Sequence, residues 1–291
     1  MTDLFAITRA LHFFCAMTLF GASAFGLIVR FRLHGETGLP RSLFVACSAI
    51  ALLTTLLTLG FVADAMTGTP GAIFDPTLWV QVARDTLYGK LALVRSGLFL
   101  AFLLCAWLRP NWTLMAGAIL GGGALALLGP TSHASRSVAD PYVYVLAAND
   151  AVHLLAGGFW LGGLMALVPV TLAKPRDAQR LLALLRLFSA WAMAAVGVLV
   201  LAGTANGFAI LDLRGMAWSE SYIDWLAIKL VLAGVMIALA LTNRFGLMPA
   251  LTRGEKDAQE TLPLTLFAEL GCAALILLAV GIMGLTAPMR M

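Results

Sequence analysis

Three of the chain's four histidines, His12, His133 and His153, stand where an imidazole nitrogen is well placed to coordinate a metal ion. His133 closes one apolar run, and His153 lies about two turns inside the next. Asp150 precedes His153 by one turn on the same helical face. Neutral imidazole suits copper, zinc, iron and nickel, so three such rings at one depth describe a shared metal site. Softer ligands lie close by in sequence. Cys15 follows His12 by one turn, and Met66 and Met216 fall near the ends of apolar runs on the same side. For each of these sulfurs, packing is the simpler reading. His34, in contrast, belongs to a polar connection and reads as a solvated loop residue.

Arg95 and Lys229 are the costliest groups in the chain. A charge well inside a membrane helix costs about 2.5–3.5 kcal/mol on insertion scales, so both must face the interior or snorkel outward. Asp64, Asp85, Asp224, Thr204 and Asn206 are their candidate partners.

These residues need a scaffold, and the composition says which kind. Hydrophobic residues make up 61% of the 291 and charged residues 12%, with mean hydropathy +0.93. Soluble domains carry about twice that share of charge. The net charge of +4 does not indicate nucleic acid, because the basic residues cluster beside apolar runs as topology signals do. The four cysteines all lie in apolar runs and read as packed free thiols. Arg9, an apolar stretch and Ala22-Ser23-Ala24 loosely imitate a signal peptide. The run continues to Val29, however, and is read as a retained first span.

Apolar runs at 5–29, 43–63, 87–108, 113–131, 144–172, 182–211, 222–243 and 263–288 predict an all-α integral membrane protein of eight transmembrane helices, one polytopic domain over 1–291. An even count puts both termini on one side. Arg30, Arg32, Arg41, Arg109, Lys174, Arg176, Arg180, Arg244, Arg253 and Lys256 flank alternate connections and mark the cytoplasmic side, which leaves both termini outside. The outer segment 67–76 carries Pro70, Gly71 and Pro76 and reads as a loop, with Trp79 and Trp218 as headgroup-level anchors.

An internal repeat is legible. Ala10-Leu11-His12-Phe13 is followed nine residues after its histidine by Gly21-Ala22, and Ala151-Val152-His153-Leu154 at the same interval by Gly162-Gly163. Tyr88 precedes Arg95 by the same seven residues that separate Tyr222 from Lys229. Two four-helix halves, about 1–135 and 144–291, would then be related by a pseudo-two-fold axis along the membrane normal. His133 has no counterpart in the second half. Gly157-Gly158 and Gly162-Gly163 would let another helix approach the fifth span closely, and Trp160 would close the site from below.

The RALHF start, the histidine after the fourth span, DAVHLLAGGFWLGGL, and Lys229 with Asn243-Arg244 together resemble the CopD family of bacterial inner-membrane copper-resistance proteins. The resemblance covers nearly the whole chain. It implies eight spans, copper as the metal, His12, His133 and His153 as its ligands, uptake from the periplasm, and a small CopC-type periplasmic copper protein as partner. Some relatives carry that partner fused, so here it would be a separate protein.

Two other classes compete. A haem-bearing electron-transfer protein would use His12 and His153 as axial ligands. A metal-dependent intramembrane enzyme would need Asp150 as its base, and no H-E-x-x-H motif occurs. A purely structural subunit leaves the buried polar groups unexplained.

Overall fold

The computed structural model describes residues 2–68, 71–131, 142–173, 177–211, 216–217, 220–285 and 289–290. Among the described residues, eight helices are long and apolar enough to cross a membrane. The first four cover Asp3–Leu33, Arg41–Thr67, Leu87–Leu108 and Pro110–Thr131, and the last four Val143–Leu172, Ala178–Phe208, Ser221–Thr252 and Lys256–Met283.

The seventh and eighth spans differ most from the hydropathy reading. The seventh span does not end at 243 but continues through a π turn, Asn243–Leu247, into Met248–Thr252. The eighth begins at Lys256 and ends at Met283, so Pro263 lies inside it instead of opening it. Polar flanks satisfy a helical backbone as well as apolar ones do. Hydropathy therefore marks the lipid-facing length, and hydrogen bonding marks the helix. The fourth span also contains a π turn, Gly117–Gly121. There a Cβ on Gly117 would fall 1.9 Å from the Ser23 hydroxyl of the first span.

The segment after the second span is more structured than a loop. Ala72–Phe74 forms one 3-10 turn, and Asp75 then caps a short helix, Pro76–Asp85, by accepting from the Thr77 N–H at 2.9 Å and the Thr77 hydroxyl at 2.6 Å. Proline at the first helical position and a carboxylate at the cap are what a helix start favours. Trp79 ties this helix back to the second span. Its ring packs on Gly60 of the second span, and its N–H donates to the Ile73 carbonyl at 3.0 Å. Thr86 caps the third span in turn, accepting from the Gly89 N–H.

The first span is the most enclosed of the eight and the seventh the least. The first packs on the second, fourth, fifth and eighth, and the fifth packs on the fourth, sixth and eighth. First and fifth meet through glycine. A Cβ on Gly21 would stand 1.9 Å from the Gly158 carbonyl oxygen, and one on Gly162 would stand 2.3 Å from the Ala22 nitrogen. Met17 meets Gly158 just as Gly21 meets Gly162, so the two helices run in the same direction. The residue interval in both pairs equals that between His12 and His153. The two histidines therefore lie at one level, some nine residues or about 13 Å before the glycine contact.

At the basic end, Arg41 donates to the carbonyls of Ala106 and Trp107, satisfying groups that the end of the third span leaves open. Arg180 donates to the Glu36 carbonyl at 2.7 Å and ties the start of the sixth span to the connection after the first. At the other end Met216–Ala217 pairs antiparallel with Met289–Arg290, bringing the C-terminal segment to the connection between the sixth and seventh spans.

Candidate functional site

His12 is buried, 5% exposed, between the second and third spans. Its Nδ1 lies 3.0 Å from the Thr54 hydroxyl, with Thr55 at 3.5 Å, and Phe99 stands edge-on to the ring at 5.7 Å. The Thr54 hydroxyl donates its one hydrogen back to the Ile50 carbonyl at 2.8 Å. A Thr54 hydroxyl that keeps this bond accepts from His12, which puts the proton on Nδ1 and leaves Nε2 its lone pair. That Nε2 is buried without a hydrogen-bond partner.

His153 repeats the arrangement in the fifth span. Its Nδ1 lies 3.0 Å from the Leu199 carbonyl of the sixth span. A carbonyl only accepts, so here too Nδ1 holds the proton and Nε2 is left bare. Gly203 makes the room, since a Cβ there would stand 2.9 Å from the imidazole Cε1. An imidazole held through Nδ1–H to a fixed oxygen, with Nε2 presented, is the posture of a metal-ligating histidine.

Each histidine has a basic side chain for a neighbour. Arg95, 1% exposed, acts electrostatically on His12, and its guanidinium lies 5.7 Å from the centre of the Tyr88 ring. Lys229 acts on His153. None of the aspartates named as candidates partners Arg95; Tyr88 takes that place. The acidic neighbour of Lys229 is Asp150 in the fifth span and not Asp224 in its own. Asp64 has a buried oxygen with no hydrogen-bond partner.

Around His153 the polar groups form a chain. Asn149 donates to the Ala202 carbonyl at 2.9 Å and to the Asn206 amide oxygen at 2.7 Å, and Asn206 donates to Asp150 at 2.9 Å. Sequence reasoning singled out Asp150 and Asn206 but missed Asn149, Thr54 and Thr55. The signal for Asn149 was present, because it adjoins Asp150 inside an apolar run. The threonines gave none, since a membrane threonine usually bonds its own helix, as Thr55 does to Ala51.

His133 lies outside the described residues, as does the side chain of Met216. Met66 is exposed at the end of the second span. Among the described residues no three of His, Cys, Asp and Glu are gathered as a metal-holding group. His12 is anchored on the second span and His153 on the sixth, at one level. Cys15 faces Cys47 of the second span, thiol to thiol, and both are buried. With Cys15 one turn below His12, soft sulfur continues inward from the first imidazole.

Apolar spans enclosing anchored imidazoles, paired thiols and interior basic groups define a multi-pass membrane protein. Residues 1–140 match the family described as copper resistance protein D-like, N-terminal domain, and residues 182–283 match copper resistance protein D. Among curated proteins the chain is 31% identical to copper resistance protein D of Pseudomonas syringae pv. tomato, covering 94% of this chain and 93% of that one. It is 30% identical to the copper transport protein CutJ of Bacillus subtilis (strain 168), of which it spans 50%. It is 27% identical to the inner membrane protein YebZ of Escherichia coli (strain K12), over 86% of each chain. No solved structure matches. The chain belongs to the copper resistance protein D family.

Proposed function

We propose that this protein takes up copper at the periplasmic face of a bacterial inner membrane through His12, His133 and His153 and conveys it toward the cytoplasm. The observation that carries the reading is the shared posture of His12 and His153, each with Nδ1–H committed to an oxygen of a neighbouring span and Nε2 bare. His153 is the better landing point, because Asp150 offsets the charge of Lys229 there. A fixed positive charge penalises a divalent ion twice as much as a monovalent one. Arg95 and the Cys15–Cys47 thiols therefore both favour Cu(I) beyond His12.

The relatives' names agree with this reading, being copper resistance and copper transport proteins. The inner membrane location follows the name of the Escherichia coli relative and the clustering of basic residues at one end. A separate CopC-type protein is the proposed donor. The two halves, 1–135 and 144–291, are proposed as a pseudo-two-fold repeat, supported by the in-register, parallel contact of the first and fifth spans. A haem between His12 and His153 would use the same two bare nitrogens. A visible absorption band in purified protein would replace the copper reading with that one.

The test is metal content after loading purified protein with copper. His12→Ala, His133→Ala and His153→Ala should each lose most stoichiometric copper with the bundle still folded, and His34→Ala should lose none. If His133→Ala keeps full occupancy, the site has two histidines or lies elsewhere. If all three variants keep it, the reading is wrong.

A further inference from the structure

Glu269 stands halfway along the eighth span, 2% exposed, and neither the histidine site nor the thiol pair uses it. Its Oε1 accepts from the Asn243 amide at 2.6 Å, and the Asn243 oxygen accepts in turn from the Thr265 hydroxyl at 2.6 Å. Its Oε2 is buried without a hydrogen-bond partner, and the Trp160 indole faces the carboxyl without closing to bonding geometry.

The carboxyl lines a chamber of about 130 Å³ between the fifth, sixth, seventh and eighth spans, large enough for several waters. Along the fifth span its wall runs from Trp160 at mid-helix through Leu164 and Leu167 to Thr171 near the basic end, about 16 Å. The walls are mainly apolar, and Arg244, which donates to Ser189 at 2.6 Å, is the other charged group facing the chamber. Trp160 lies two turns beyond His153 on one helical stripe, so the chamber begins about 10 Å beyond the histidine level.

A bare carboxylate in so apolar a space is costly unless something neutralises it. A hard metal ion would ask for about six oxygens, and Glu269 with Asn243 offers two. A proton asks for one. Carboxyl groups placed this way inside membrane helices serve as proton relays. We propose that Glu269 is a proton-binding site, reached from the basic end of the bundle through this chamber. The proposal does not depend on the copper reading.

Infrared difference spectra between acidic and alkaline buffer, taken on the full chain in lipid, read the carboxylic C=O band directly. The wild type should show a titrating band that Glu269→Gln removes and Asp150→Asn leaves. Asn243→Ala should shift the band without removing it, which covers the case in which the glutamine variant does not fold. Leu185→Trp, which fills the chamber between Glu269 and the basic end, should slow deuterium exchange of that band at least tenfold. The proposal is overturned if Glu269→Gln removes no titrating band, or if Asn243→Ala leaves every band unmoved. Exchange unaffected by Leu185→Trp would remove the chamber as the route. A band seen only after chelation would make Glu269 a metal ligand instead.

Discussion

Gly21 of the first span and Gly162 of the fifth are in backbone contact: a Cβ on Gly162 would stand 2.6 Å from the Gly21 Cα. No side chain separates the two central helices there. The level of His12 is thereby tied to the level of His153.

Gly162→Leu should force these helices apart. Overpacking a tight contact costs about 1–3 kcal/mol, and at this contact the obstacle is backbone, which cannot rotate away. Thermal unfolding in detergent should show the loss of stability, with copper content falling alongside. Gly197→Leu, at a position where a Cβ meets nothing within 4 Å, should change neither.

Thr54→Val removes the nearer oxygen that holds the His12 ring and leaves Nδ1 only the Thr55 hydroxyl at 3.5 Å. Loss of such a supporting oxygen lowers metal affinity by about 10–100-fold. Thr54→Ser should restore binding, because the hydroxyl alone is needed. Competition titration with a Cu(I) chelator would measure both. Equal affinity in Thr54→Val and the wild type would separate His12 from the metal.

The basic ends of the helices should face the cytoplasm. In intact cells a membrane-impermeant thiol reagent should label Arg136→Cys and spare Arg253→Cys, each made in a background lacking the four native cysteines. The opposite pattern would invert the topology and put His12 and His153 on the cytoplasmic side.

Asp75 should confer a pH dependence on the short helix Pro76–Asp85. The Thr77 hydroxyl and N–H hold its carboxyl below the ordinary aspartate value. A depressed folded-state value adds stability that is present above the unfolded aspartate's pKa and is lost as pH falls through the lower, folded one. Hydrogen exchange at Thr77 and Leu78 should therefore lose protection under acid. In Asp75→Asn, which caps without titrating, protection should not change with pH.

Hydropathy by itself determined the eight spans, because lipid offers the backbone no hydrogen-bond partner and only long apolar helices satisfy it. Residue spacing likewise put His12 and His153 at one depth, since helical rise is constant and depth is countable along one chain. Glu269 was legible in the same way, as the lone charge in the apolar run 263–288, and went unnoticed because it belongs to no histidine-like pattern. Partnership across helices could not be counted. Which face of the second span meets the first depends on rotations set by packing between segments distant in sequence. Thr54 under His12, the Leu199 carbonyl at His153, Tyr88 beside Arg95 and Asn243 on Glu269 were therefore decided only by the tertiary structure. So was the tautomer of each imidazole. The proton sits on the nitrogen that finds an acceptor, and the oxygen that meets each Nδ1 is supplied by another span, a carbonyl at His153 and a hydroxyl at His12.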